Sequence, residues 1–211
     1  MKITKLGHCC LVVEEGSLKI LTDPGDYTMA QNQVTGIDVI LITHEHPDHL
    51  HTESLKTVLI NNPSALVFTN KGVGRILGQE QITYQLLEHK QNQTVKGVVI
   101  KGWGEKHTPI YHIVPQVINT SYFIADRLFY PGDTFYQPPK PVEVLALPVA
   151  GPWMKIAETL DYAKVIKPKV CFPIHDGMLK HWGSAHKLPP KVLSPLGVKF
   201  FDLESVAQFE V

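Results

Sequence analysis

Three cysteines are all the chain has, and two of them, Cys9 and Cys10, are neighbours. Adjacent residues of a strand point to opposite faces, so this pair is a poor anchor for a disulfide framework, and a reducing cytosol is the expected compartment. Net charge is missing too: 20 basic side chains balance 20 acidic ones over 211 residues. Duplex or long single-stranded nucleic acid is a poor partner for such a surface, because its binders carry an excess of Lys and Arg. No apolar run approaches the ~20 residues that span a bilayer. Met1-Lys-Ile-Thr-Lys-Leu runs straight into an alternating strand, without the apolar core of a signal peptide. Neither an internal repeat nor a low-complexity linker interrupts the chain. Residues 1–211 are therefore expected to form one domain, with 44% hydrophobic content to fill its core. Against these absences one count stands out. Histidine occurs 11 times.

Four of the groups that matter fall in one stretch, His44-Glu-His46-Pro-Asp48-His49. It follows Val39 to Ile42, a short β-branched run that opens after a turn signal at Gly36 and reads as a buried strand. In extended geometry His44 and His46 share one face. Pro47 then breaks the strand, and Asp48 and His49 reach the same point from another direction. Two ligands for one cation and two for its neighbour is the natural partition. The competing reading is a polar loop with surface histidines.

The rest of the chain alternates strands with helices, the pattern of a layered α/β domain. Ile3 to Val13 reads as a strand, Glu14 to Ser17 as a turn and Leu18 to Leu21 as the return strand. Thr22-Asp23-Pro24-Gly25 closes it; Asp23 is either a plain turn residue or the acceptor that fixes a metal-bound histidine's tautomer. Gly25 to Thr35 is a polar loop over the site. Thr52 to Ile60 is expected to be helical, Ala65 to Phe68 a strand, and Gly72 to Leu77 a short helix. Ile82 to Leu87 and Val95 to Ile100 follow as strands. Trp153 to Ile166 has Ile156, Leu160 and Ala163 at helical spacing and reads as a packing helix, with Pro152-Trp153 bordering the groove. Val206 to Val211 alternates with Gln208 and Glu210 outward, as an edge strand does. Three more polar outposts end apolar strands: Gly104-Glu-Lys-His107, Gly132-Asp133-Thr134 and Pro173-Ile-His175-Asp176. Each alone is an ordinary solvated turn. Ligands supplied from the same ends of several strands are, however, how sheets build sites.

In their order, these motifs resemble the five-motif pattern of the metallo-β-lactamase-fold hydrolases, with Asp23 matching the first motif. Leu6-Gly7-His8 and Leu147 to Trp153 resemble the lactonase-like and uncharacterised metal-dependent hydrolase branch. The resemblance runs from Leu6 to about Gly177. It implies a four-layer αβ/βα sandwich with two metal ions at one edge of the sheets. Carried over by position, His44, His46 and His107 hold the first metal; Asp48, His49 and His175 hold the second; Asp133 bridges both. Imidazole and carboxylate suit Zn²⁺ first, and also Mn²⁺ or Fe. The implied nucleophile is a hydroxide shared by the two metals, which Asp48 orients.

One post is contested, since His107 and His112 both lie between the HxHxDH stretch and Asp133. His107 sits beside a strand exit and matches the family's position, so it is expected to ligate, with His112 a loop residue near the substrate mouth. His8, His112, Asp176, His181 and His186 are candidates for a substrate wall, against the alternative of ordinary surface histidines. The expected function is hydrolysis of a small ester, lactone or phosphoester. Two alternatives stand beside it: a nuclease or RNA-processing phosphodiesterase on the same fold, and a non-catalytic metal-binding protein. Charge neutrality, and the lack of the insertion, C-terminal extension and added N-terminal domain of nucleic-acid-processing relatives, favour a small-molecule substrate with neither nucleic acid nor membrane as partner. The sequence leaves the oligomeric state open, a homo-oligomer included.

Overall fold

The computed structural model describes residues 1–202 and 208–211. Its first half runs β1 (Lys2–Gly7), β2 (Cys10–Glu15), β3 (Leu18–Thr22), β4 (Val39–Leu41), α1 (Thr52–Asn61), β5 (Leu66–Thr69), α2 (Lys71–Gln79) and β6 (Gln85–Leu86). The second half runs β7 (Asn92–Val95), β8 (Val98–Trp103), β9 (Ser121–Ile124), β10 (Leu128–Tyr130), β11 (Val144–Pro148), α3 (Ile156–Ile166), β12 (Val170–Ile174), α4 (Gly183–Leu193) and β13 (Lys199–Phe200). The final strand, β14 (Gln208–Glu210), returns to pair antiparallel with β1. Two seven-stranded sheets result, ordered β14-β1-β2-β3-β4-β5-β6 and β13-β12-β11-β10-β9-β8-β7. Each sheet is antiparallel in one part and parallel in the other, from β3 to β6 and from β10 to β13.

Period-two patterning assigns the faces. Val39 and Leu41 of β4, and Val144 and Ala146 of β11, enter one core shared by both sheets. Ile40 and Ile42 turn outward onto Leu55 and Val58 of α1 and Val73 and Leu77 of α2. Leu145 and Leu147 turn outward onto Leu160 and Ala163 of α3 and Leu193 of α4. The layers are therefore helices, sheet, sheet, helices: the expected αβ/βα sandwich. Cys9 and Cys10 fall in opposite cores, as adjacent strand residues must. Among the described residues no helix is long and apolar enough to cross a membrane.

Several elements differ from the sequence expectation. Ile3 to Val13 is two strands, because Gly7 (φ +147°) and His8 (φ +49°) reverse the chain between β1 and β2. A Cβ at Gly7 would lie 2.8 Å from Thr28 Cβ, which no other residue tolerates. Val95 to Ile100 is likewise broken by a hairpin at Lys96 and Gly97, both at positive φ. Ile82 to Leu87 shrinks to the two residues of β6. Helix α3 starts at Ile156, leaving Trp153 in a turn, and β9, β11, α4 and β13 had no sequence counterpart. At the C-terminus Phe209 is buried between exposed Gln208 and Glu210, as the alternation implies; Val206 lies outside the described residues.

Candidate metal centre

The parallel strands end along one edge of the sandwich, and the motifs leave from there. Asp23 follows β3, the HxHxDH stretch follows β4, His107 comes from the loop after β8, Asp133 follows β10 and His175 follows β12. Thr43 ties this edge together. Its carbonyl accepts from Thr120 N–H (3.0 Å) and Asn70 Nδ2 (2.8 Å), and its own N–H and hydroxyl donate to Asp23 at 2.7 and 2.8 Å. Gly132 has φ +66°, and a Cβ there would come within 2.5 Å of Asn119 Oδ1. Only glycine lets the loop press against Asn119, whose Oδ1 accepts from Asp133 N–H at 3.0 Å and so sets that side chain.

Ligand-type atoms gather in two adjoining groups. His44, His46, His107 and Asp133 form one, and His8, Cys9, His49 and His175 the other, the atoms within each lying no more than 4.8 Å apart. Asp133 stands between them: Oδ2 is 3.3 Å from His107 Nε2 and 2.8 Å from His175 Nε2, and Oδ1 is 3.1 Å from His49 Nε2. Asp48 Oδ2 adjoins the second group, 3.4 Å from His175 Nε2 and 3.8 Å from His49 Nε2.

Three of the imidazoles are anchored by one nitrogen and present the other. The Thr43 hydroxyl spends its proton on Asp23, so it accepts from His44 Nδ1–H at 3.0 Å. Asp23 Oδ2 accepts from His49 Nδ1–H at 2.8 Å, and the Thr108 carbonyl accepts from His107 Nδ1–H. All three rings thereby offer an Nε2 lone pair to the centre. His49 Nε2, His107 Nε2, His175 Nε2 and Asp133 Oδ1 are buried without a hydrogen-bond partner among the described residues, their close contacts missing hydrogen-bond geometry. Buried polar atoms left in that state are costly unless something satisfies them. Here a divalent cation fits the donor set.

The electrostatics agree. Burial opposes charge on Asp133, yet the neighbouring His49 and His175 hold its carboxyl well below the ordinary range. Burial likewise opposes charge on Asp48, but the His8 hydrogen bond and His49 hold it at about 2. Burial, reinforced by the surrounding imidazoles, keeps His44 and His46 neutral, as ligands must be. His49 is the exception: burial is overcome by Asp133, Cys9 and Asp23, which raise its pKa, so a cation there would have to displace a proton from Nε2.

Comparison with known proteins decides the family. The model of the beta-lactamase superfamily domain matches residues 2–175. The protein Rv0786c of Mycobacterium tuberculosis is 34% identical over 85% of either chain. The chain belongs to the metallo-β-lactamase superfamily. A UPF0173 metal-dependent hydrolase of Aeropyrum pernix is 29% identical over 83% of this chain and 82% of its own. In fold the chain is similar to Igni18, a metallo hydrolase of Ignicoccus hospitalis, with TM-score 0.74, 21% identity and 100% and 98% of the two chains covered.

Within this metallo-β-lactamase fold the remaining sequence candidates separate. His107 is buried in the first group; His112 is exposed, lies tilted against Tyr111 and belongs to neither group. His8 is buried beside Asp48, its Nε2 3.1 Å from Oδ2. His181 is exposed, whereas His186 is no surface histidine. It lies buried between Asp176 and Asp202, 2.9 Å from each, and Asp176 also takes Lys5 Nζ, so neither His186 nor Asp176 lines the groove. Sequence patterning missed Cys9, whose thiol burial pushes up to about 12, and Asn119 and Tyr130, whose polar groups hold Asp133 and Asp23. Their only signal was a polar tip beside an apolar run.

Proposed function

We propose that this chain is a hydrolase of a small ester, lactone or phosphoester, with two divalent cations, zinc by preference and Mn or Fe as alternatives, held by the two groups. His44, His46 and His107 serve one cation, Asp48, His49 and His175 the other, and Asp133 both. The observation that carries the reading is the convergence of unpartnered, buried imidazole and carboxylate atoms around Asp133. Cations bound there supply Lewis acidity and acidify water toward neutral pH.

The chain's own residues supply the rest. Gly177 N–H donates to His8 Nδ1 at 3.0 Å, which leaves the ring proton on Nε2, facing Asp48 Oδ2. His8 is thus a hydrogen-bond donor, opposite in tautomer to His44, His49 and His107. It holds Asp48 charged and in place, leaving Asp48 Oδ1 to accept a hydrogen bond from an attacking water and orient it. Asp23 holds His49 at Nδ1 and accepts from Tyr130 as well, so His49 keeps its Nε2 turned to the centre. Among the described residues no lysine or arginine lines the groove, which supports a small substrate over a polynucleotide. A cytosolic location belongs to the same proposal.

The test is chelation followed by restoration. Metal-stripped protein is expected to lose hydrolysis of chromogenic esters, lactones or phosphodiesters, and Zn²⁺ or Mn²⁺ to return it. Unchanged turnover by metal-free protein would sink the mechanism.

A further inference from the structure

We infer that the groove is built for an uncharged acyl substrate, an ester or lactone carrying an apolar arm, rather than for a phosphoester. This rests on the hydrolase reading above and narrows it. The groove of about 420 Å³ is walled, apart from the ligand residues, by Tyr27, Pro47, Ile110, Pro152, Trp153 and Met178, with Asp26 as the one other charged side chain among the described residues. That volume lies in the range of small-molecule sites.

Two features of the wall discriminate between substrates. The first is fixed apolar surface beside the reacting centre. Trp153 is buried and stands edge-on to His107 at 5.9 Å and to His175 at 5.8 Å, so one indole borders both ligand groups. Phe135 backs it at 5.2 Å and keeps it there. Outward, Tyr27 is 48% exposed and Met178 38%, and Tyr111, Ile113 and Val114, which follow Ile110 in the chain, are exposed as well. Tyr27, Ile110 and Met178 thus put apolar surface at the rim of the groove, where the arm of a bound substrate would cover it.

The second is charge. A phosphoester brings one or two negative charges, and proteins that select phosphate usually add arginine or lysine to receive its oxygens. This wall adds only a carboxylate, Asp26. An acyl substrate asks for none of that. In its hydrolysis water oxygen bonds to the acyl carbon and the acyl C–O bond breaks, its electron pair leaving on the alcohol oxygen. One water proton ends on that alcohol and the other on the carboxylic acid.

The test compares probes on Zn²⁺-loaded protein: p-nitrophenyl acetate, butyrate and hexanoate against p-nitrophenyl phosphate and bis(p-nitrophenyl) phosphate. Apolar contact predicts a rise in kcat/KM of about two- to fourfold per methylene, with both phosphate esters slower than the hexanoate. Ile110→Asp and Met178→Asp should flatten that chain-length dependence. Calorimetric binding gives a readout that needs no turnover: octanohydroxamate should bind more tightly than acetohydroxamate in the wild type, and the gap should shrink in both variants. Zn²⁺-dependent turnover that favours the phosphate esters, or is flat in chain length, overturns the inference and leaves the hydrolase reading standing. Hydrolysis that persists without metal overturns both.

Discussion

Asp23 is the most heavily used side chain of the centre, accepting from Thr43 N–H, the Thr43 hydroxyl, Tyr130 O–H and His49 Nδ1–H while wholly buried. It belongs to neither group of ligand-type atoms. Asp23→Ala is expected to weaken metal affinity roughly 10–100-fold through a loosened His49, measured by competition with a chromogenic chelator; unaltered affinity would reduce Asp23 to a turn residue. His8 calls for a finer comparison. Its Ala variant should lower kcat roughly 10–100-fold. Gln reaches about as far as Nε2 and should restore most of that, while Asn, which reaches only to Nδ1, should not. Equal losses in all three variants would leave His8 a packing role. At this scale the sequence was legible wherever side chains cluster locally, as from His44 to His49. It was silent where partners are distant, since nothing near Tyr130 announces Asp23, 107 residues away.

Elements built on an uninterrupted pattern, such as β4, α1 and α3, were readable from apolar spacing alone. Those that were missed have a physical reason. Pro189 and Pro190 break the helical pattern of α4, and the β1–β2 and β7–β8 turns hide in apolar strings because they rest on positive φ at His8 and Lys96. Helix α4 also carries a tether invisible in sequence, His186 to Asp176 beyond β12. Burial opposes charge on both partners, but Asp176 and Asp202 raise His186 above its ordinary 6.5, and His186 and Lys5 lower Asp176 below 3.8. The raised histidine stabilises fully below pH 6.5 and stops doing so as pH climbs through its folded pKa. The lowered aspartate stabilises above pH 3.8 and stops as pH falls through its own. The tether should therefore be strongest between those two values. His186→Asn should cost about 1.5–3 kcal/mol in urea unfolding at pH 6, and clearly less at pH 9. A difference independent of pH would mean that the imidazole is held there uncharged.

Across the whole molecule, the two sheets each turn from antiparallel to parallel and bring their parallel ends to the same edge. Tyr122, from the second sheet, donates to the Ile42 carbonyl of the first at 2.9 Å, directly behind the HxHxDH stretch. That is how candidate ligands from both halves of the chain reach one centre, and why composition could weigh against a nucleic-acid partner but could not draw the groove. The central claim is that this edge holds two cations bridged by Asp133. Its most direct test is elemental analysis after metal-free protein is reloaded with Zn²⁺ and freed of excess. The wild type should carry two ions per chain, His46→Ala and His175→Ala about one each, and Asp133→Ala no more than one. Two ions retained in Asp133→Ala, or a single ion in the wild type under saturating Zn²⁺, would contradict the account.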